Sequence, residues 1–179
     1  HESNLNRQLF FTTESIGRYK AEVLAEKIVG PSCNPVIRRV SNEESLDDIF
    51  SVSDFVINCT DEPSVYETSR IIEGYSKRYH VPFCIAGGYN LHNGLIGPIF
   101  VTDKTATLDD FLNYQKRNNI FKGLTQIKIQ KQSGSLGSIA GAVANIQCCE
   151  IFKHLTGVGR SKYTHFGEFH FLGSKLGWF

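Results

Sequence analysis

The 179-residue sequence has no methionine and a single tryptophan. Without the product of an initiation codon, the sequence is expected to be a processed piece or the ordered part of a longer chain. Long apolar runs are missing as well. None approaches the roughly eighteen residues that a membrane-spanning helix needs, and no stretch has the pattern of a secretory signal. Charge of one sign is also lacking: 19 Lys+Arg stand against 18 Asp+Glu, a net +1. No global field therefore draws in nucleic acid or an anionic membrane, and an anion site must be local. The five cysteines, Cys33, Cys59, Cys84, Cys148 and Cys149, form no C-x-x-C pair. An odd, unevenly spaced set points to reduced thiols in a cytoplasmic protein, mostly buried as small hydrophobes, and away from structural zinc. Cys148 and Cys149, inside an apolar helix, are expected to be buried and inert.

What is present is an ordinary globular composition, 41% hydrophobic and 21% charged, long enough for one domain with a substantial core. A helix is predicted over 17–28, with Val23, Leu24 and Ile28 on one side, stopped by Gly30-Pro31. Val36–Val40 reads as a short strand and 43–50 as a brief acidic helical turn. Asp54–Cys59 reads as a buried strand because its apolar residues are nearly continuous. A helix bearing Val65, Ile72, Tyr75 and Tyr79 follows, then a strand at Val81–Ala86, which completes a βαβ unit. Beyond it come a turn or irregular strand at 87–90, a tight turn at His92-Asn93-Gly94 and a strand at Gly97–Val101. Residues 107–118 read as helical and 120–131 as an extended crossover. Ser138–Leu155 is a long helix, so apolar that it belongs in a core or an oligomer interface, and Gly157 ends it. The alternating tail from Tyr163 to Leu172 reads as a hairpin or edge strands. The class is α/β with a mainly parallel sheet.

The chemistry concentrates in Ser3-Asn4-Leu5-Asn6-Arg7-Gln8, with Lys20 thirteen positions beyond Arg7. A forked guanidinium and a mobile ammonium suit a polyphosphate. Asp61 ends a strand, where open α/β sheets place ligands. Thr60 or Asp61 can cap the next helix, with Pro63 in its first turn, and Asp61 can equally hold Mg²⁺ between phosphates. Both roles remain open on the residues alone.

Four stretches carry a resemblance. They are Ser3-Asn4-Leu5-Asn6-Arg7-Gln8, then Ile16-Gly17-Arg18-Tyr19-Lys20, then Cys59-Thr60-Asp61, and finally Gly141 through Gln147 with Glu150 and Leu155-Thr156-Gly157. In this order the chain resembles the ThiF/MoeB/HesA and ubiquitin-activating (E1-like) adenylating superfamily, nearest in character to the peptide-antibiotic (microcin-type) branch. The resemblance implies a Rossmann-like adenylation domain. It divides the chain into the remainder of a nucleotide-binding half (1–101), a crossover (102–135), and a long helix with C-terminal strands (136–179). It also implies ATP and Mg²⁺ as cofactors and the C-terminus of a peptide or small carrier protein as partner. Asn4, Arg7, Gln8 and Lys20 would hold the nucleotide, Arg7 and Lys20 would act on its phosphates, and Asp61 would bind Mg²⁺. A homodimer is expected on the same ground. Arg18 is a weaker candidate beside its reading as a solvated helix residue.

Three departures qualify this reading. The family's glycine-rich G-x-G-x-x-G turn and ribose-binding acid lie upstream of the S-N-x-x-R-Q segment, and only two residues precede Ser3 here. The Gly-rich stretch 134–141 heads a late helix and reads as a close-packing start to it. The zinc cysteines of many members are absent, so no zinc is expected, and 102–135 carries no acceptor cysteine. These departures leave an alternative open, a non-catalytic E1-like partner or scaffold subunit that binds a protein substrate.

Overall fold

The computed structural model describes residues 2–28, 32–90, 93–118, 136–170, 173 and 175–178. Two short 3-10 turns, Glu2–Asn4 and Thr13–Ser15, precede α1 (Lys20–Lys27). Then come α2 (Asp47–Phe50), β1 (Val56–Asn58), α3 (Val65–Tyr79), β2 (Phe83–Ile85), β3 (Gly88–Asn90), β4 (Asn93–Ile96) and β5 (Ile99–Phe100). The described chain ends with α4 (Leu108–Arg117), α5 (Gly137–Thr156), β6 (Gly167–His170) and β7 (Lys175–Trp178).

The strands form two sheets, β1-β2-β5 and β3-β4-β6-β7. In the first, β1 and β2 are parallel, with Ile57 opposite Cys84, as a helical crossover through α3 requires. The other described ladders are antiparallel, so the first sheet is mixed and the second antiparallel, and parallel pairing outside the βαβ unit is an isolated bridge between Ile99 and Tyr163. A parallel neighbour needs a long crossover, whereas the link between β3 and β4 is a hairpin too short to allow anything but reversal.

Alternation along the first sheet divides the core between two layers. Phe83, Ile85 and Phe100 point to α3 and α4, where they join Phe50, Ile72, Leu108 and Phe111. The ring of Phe83 stacks on Phe100 at 5.0 Å, and Phe100 meets Phe111 edge-on at 5.8 Å. Cys84 and Ile99 point the other way, to Ile151 of α5. The same helix covers the second sheet through Ile139 and Val143, which pack on Ile96. It lies so close that a Cβ at Gly94 would come within 2.3 Å of a Val143 methyl. Among the described helices, α5 is thus the one that both sheets share.

Several elements differ from the sequence reading. α1 begins at Lys20 rather than at 17, because Gly17 has φ +88°, outside the helical region. Ile28, expected on its buried side, is its exposed C-cap. Val36–Val40 is extended without a ladder, since it has no strand partner among the described residues, and Val36 and Ile37 are exposed. The acidic turn shortens to α2. β1 is the end strand of its sheet, and Ile57 is 47% exposed rather than buried. Asn93 and Gly94 open β4 instead of forming a tight turn, and His92 lies outside the described residues, as does 120–131. The helices over 65–79, 108–117 and 137–156 are found where expected, whereas the C-terminal hairpin extends past the expected 163–172, with β6 inside that range and its partner β7 beyond it.

The core makes a contrast that can be measured. Phe83→Ala removes a 1%-exposed stacked ring and should cost about 3–5 kcal/mol. Ile57→Ala, on the open side of β1, should cost less than about 1 kcal/mol. Urea denaturation of both variants checks the assignment, and equal losses would contradict it.

Candidate active site

The first turn of the chain builds a fixed cation. Backbone N–H groups of Leu5 and Gln8 donate to the carbonyls of Glu2 and Asn4, each at 3.0 Å, which curls 2–8 into a compact bend. Inside it the guanidinium of half-buried Arg7 donates to Asn4 Oδ1 at 2.6 Å and to Asn6 Oδ1 at 3.1 Å. These two neutral acceptors orient the fork, and Asn4 keeps its amide N–H₂ as a donor. Gln8 is part of the same bend and accepts from Phe11 N through its carbonyl. The start of α5 abuts this bend. A Cβ on Gly137 would fall 2.9 Å from the Asn6 carbonyl oxygen and 3.5 Å from Arg7 Cα. Gly137 is therefore a close-packing start to the helix, while Gly134 and Ser135 of the glycine-rich stretch lie outside the described residues.

Lys20 is the exposed first residue of α1. Arg18, two residues earlier, is engaged by Glu26 through a bidentate ion pair. That pair holds the Glu26 carboxyl below its usual range and raises the Arg18 guanidinium, in both cases chiefly by hydrogen bonding. Arg18, which precedes α1, thus has an acidic partner on that helix.

Asp61 is exposed on the loop after β1, and the loop is held by a buried amide. Asn58, 2% exposed, donates to Thr68 Oγ1 at 3.1 Å and Ser69 Oγ at 2.8 Å on α3. Its Oδ1 accepts from Thr60 N at 3.0 Å and Thr60 Oγ1 at 2.6 Å. Neither Thr60 nor Asp61 caps α3. Ser64 does, accepting from Glu67 N at 3.1 Å, and Pro63 lies ahead of the cap rather than in the first turn. The correction has a simple cause: three residues after Thr60 are spent on the loop before the cap, Ser64, and helical geometry begins only at Val65. Asp61 is thereby free of the capping role. Among the described residues, the side chains of Lys20 and Asp61 form no hydrogen bond or ion pair. The structure brings Asn4 and Arg7 into contact and places Lys20 and Asp61 on separate elements.

Among the described residues no three His, Cys, Asp or Glu side chains converge on a metal-sized site. A single carboxylate is nonetheless a fitting partner for Mg²⁺ that arrives on nucleotide phosphates, since that ion keeps most of its shell as water and phosphate oxygen. No described helix is long and apolar enough to cross a membrane.

Three polar residues missed by the sequence reading as structural fixtures tie the site to its scaffold. Asn58 is one, the polar residue interrupting an apolar strand. Gln147 and Glu150, both 6% exposed, are the others. Gln147 Nε2 donates to Ile85 O at 2.7 Å and approaches Cys84 Sγ at 3.3 Å, while its Oε1 accepts from Gly87 N at 2.7 Å. Glu150 accepts from Lys153 Nζ at 2.6 Å and from Lys162 N at 2.9 Å. The signal was present: two polar residues three apart in an otherwise apolar helix share one face.

The cysteines also require a correction. Only Cys84 is buried, whereas Cys33, Cys59, Cys148 and Cys149 are exposed. α5 has more apolar surface than two sheets can cover, so Cys148 and Cys149 fall on its outer side, as does Phe152, 60% exposed. Burial pushes the Cys84 thiol up to about 12.

Comparison with known proteins places this geometry. The sequence profile of the ThiF family matches residues 1–176. The chain belongs to the ThiF family. Among its relatives, it is 24% identical over 178 residues to the adenylyltransferase and sulfurtransferase UBA4 of Meyerozyma guilliermondii, covering 92% of this chain and 37% of UBA4. It is 31% identical over 141 residues to the tRNA threonylcarbamoyladenosine dehydratase of Escherichia coli K12, covering 75% of this chain and 50% of that protein. In fold it is similar to E. coli MccB crystallised with ATP, with a TM-score of 0.72, 18% identity, all of this chain and 52% of that one. PaaA gives a TM-score of 0.66 at 17% identity, with all of this chain and 60% of that one. The Rossmann-type adenylation fold expected from the motifs is thereby established, with peptide-antibiotic enzymes among its structural neighbours. MccB is described as the Microcin C7 biosynthetic enzyme. The chain spans between about a third and three-fifths of these proteins' lengths.

Two measurements probe this scaffold. Asn58→Ala strands the Thr60 amide and takes the amide donor from Ser69 Oγ, while Thr68 Oγ1 keeps its backbone carbonyls, and it should cost about 1–3 kcal/mol, read as a lowered urea midpoint with unchanged slope. Cys84 should resist iodoacetamide at pH 9 in the folded protein while Cys33 is alkylated, as read by peptide mass spectrometry. A thiol titrating near 12 holds its proton there, whereas the unfolded thiol ionises near about 8.5. Stability should accordingly fall as pH rises between those values.

Proposed function

We propose that this chain is part of an ATP- and Mg²⁺-dependent enzyme that adenylates the C-terminal carboxylate of a peptide or of a ubiquitin-like or sulfur-carrier protein. The observation that supports this most directly is the Arg7 guanidinium held between two asparagine oxygens, a preorganised cation in a bend that belongs to a ThiF-family fold. In this reading a carboxylate oxygen attacks the α-phosphorus of ATP. The new bond is C–O–P, the bond to the β-bridging oxygen breaks, and pyrophosphate carries the electron pair away. A carboxylate is already ionised, so no general base is needed, and catalysis consists of positioning and charge stabilisation. That demand fits a site of cations and one Asp. Arg7 and Asn4 bind the triphosphate, with Arg7 on the departing pyrophosphate. Lys20 serves the α-phosphate side, Gln8 supports the bend, and Asp61 holds Mg²⁺. The protein works in the cytoplasm as a homodimer, and the exposed Phe152, Leu155 and Val158 at the end of α5 supply apolar surface for pairing.

The relatives support the reading in kind. UBA4 is named an adenylyltransferase, and MccB has been crystallised with ATP and with the peptide MccA. A second reading is a non-catalytic partner subunit that uses the fold to hold a protein substrate.

ATP–pyrophosphate exchange by the full-length polypeptide separates the two. Arg7→Ala and Lys20→Ala should each lower exchange by about a hundredfold or more with the fold retained, and Asp61→Asn should raise the Mg²⁺ concentration needed for half-maximal rate. Wild-type exchange in Arg7→Ala would remove the site assignment. Failure of the wild-type polypeptide to bind Mg-ATP would favour the non-catalytic reading.

A further inference from the structure

The glycine that opens α5 sits against the Arg7 bend of the candidate site, and the two are far apart in sequence. We infer that Gly137 is a positioning residue for Arg7, so that the placement of the phosphate-binding bend is set by the seating of α5. The inference rests on the reading of Arg7 as the polyphosphate cation.

The geometry carries it in three steps. First, the contact is backbone on backbone. The hydrogen of Gly137 that any other residue would replace with a Cβ faces the Asn6 carbonyl, where that carbon would stand at 2.9 Å, and Arg7 Cα at 3.5 Å. A flexible side chain could swing away from such an intrusion, whereas a carbonyl inside a bend cannot move alone. Leu5, Arg7 and Gln8 are all tied by their amides to the carbonyls of Glu2 and Asn4, so displacing Asn6 shifts the bend as a unit. Second, the guanidinium is fixed from within that same bend by Asn4 and Asn6. Whatever moves the bend moves the charge with it. Third, the other side of the contact is anchored. Two residues beyond Gly137, Ile139 is buried against Ile96 and Val143, and Gln147 locks the helix to Ile85 and Gly87. α5 cannot yield, so the bend must.

The same helix provides its own control. Among the described residues, a Cβ on Gly141 meets nothing within 4 Å. Gly141→Ala and Gly137→Ala thus make the same chemical change in one helix, and they differ in whether the new methyl reaches the Arg7 bend. Displacement of a catalytic charge by a fraction of an ångström to 1 Å can cost up to about a hundredfold in rate.

The experiment compares full-length wild type, Gly137→Ala, Gly141→Ala and Arg7→Ala in ATP–pyrophosphate exchange. It adds thermal unfolding and the backbone amide ¹⁵N shifts of residues 4–8. The expected result is a fall in kcat of about ten- to a hundredfold in Gly137→Ala with its fold intact. Its amide shifts in 4–8 should change, and Gly141→Ala should match wild type in both respects. Gly137→Ala and Gly141→Ala behaving alike, whether both silent or both impaired, would overturn the inference. If wild type shows no exchange for Arg7→Ala to abolish, the adenylation reading has failed instead. The amide shifts then still decide: a change confined to Gly137→Ala upholds the coupling, and unchanged shifts refute it.

Discussion

A single buried carboxamide holds the architecture together. Gln147 donates to the last carbonyl of β2 and accepts from the amide of Gly87, just before β3, so it bridges the point where the chain leaves one sheet for the other. At that crossing both sheets run out of partners, and two backbone groups would be left unpaired in the interior. An unpaired buried group costs more than a good hydrogen bond returns, so a side chain with one donor and one acceptor end is the economical solution. An apolar residue could fill the space but not the valences. With that grip in place, α5 lies along both sheets at once. Ile151 serves the parallel pair, and Ile139 and Val143 serve the antiparallel sheet.

The consequence is that one rigid body spans the protein. α5 is 20 residues long, about 30 Å at the helical rise. Its first turn touches the Arg7 bend, its middle fastens the sheets, and its last turns tie down the following loop through Glu150 and Ser161. Asn58 plays the matching part on the opposite layer by fixing the Asp61 loop to α3. Two of the proposed phosphate-site residues are thus held by groups that never meet a ligand. Polyphosphate chemistry favours such a division. The reacting groups supply charge alone, so their value depends on arriving already placed.

Much of this was legible in the residues, and the failures share a cause. α5 could be read because its apolar stretch is longer than a strand, and Gly157 marks its end. α4 could be read from Thr107 and Asp110, which form a capping box. The family could be read because four motifs keep their order. The misreadings at Val36–Val40 and Ile57 concern pairing, which is a property of two segments, whereas periodicity reports on one. A β-pattern shows that a stretch can be a strand. Only a partner makes it one. The cysteines of α5 were misjudged for a related reason, since the composition of a helix gives its apolar area but not how much of it a sheet can cover.

The site residues divide in the same way. Asn4 and Arg7 are close in sequence, so their contact follows from a local bend and was implicit in the spacing. Asn58 looked like an interruption of a strand, and Gln147 like a polar defect in a helix, because their partners lie ten and sixty positions away. Polar residues inside apolar elements are expensive to bury, and each persists here by satisfying backbone or hydroxyl groups at a junction. Such residues mark where layers are joined. In this protein the joints are at the end of β1 and at the crossing between the sheets, which are the places where an open α/β fold receives its ligands. At the end of β1 the group that fixes the scaffold, Asn58, therefore occurs beside Asp61, a residue proposed to face the nucleotide.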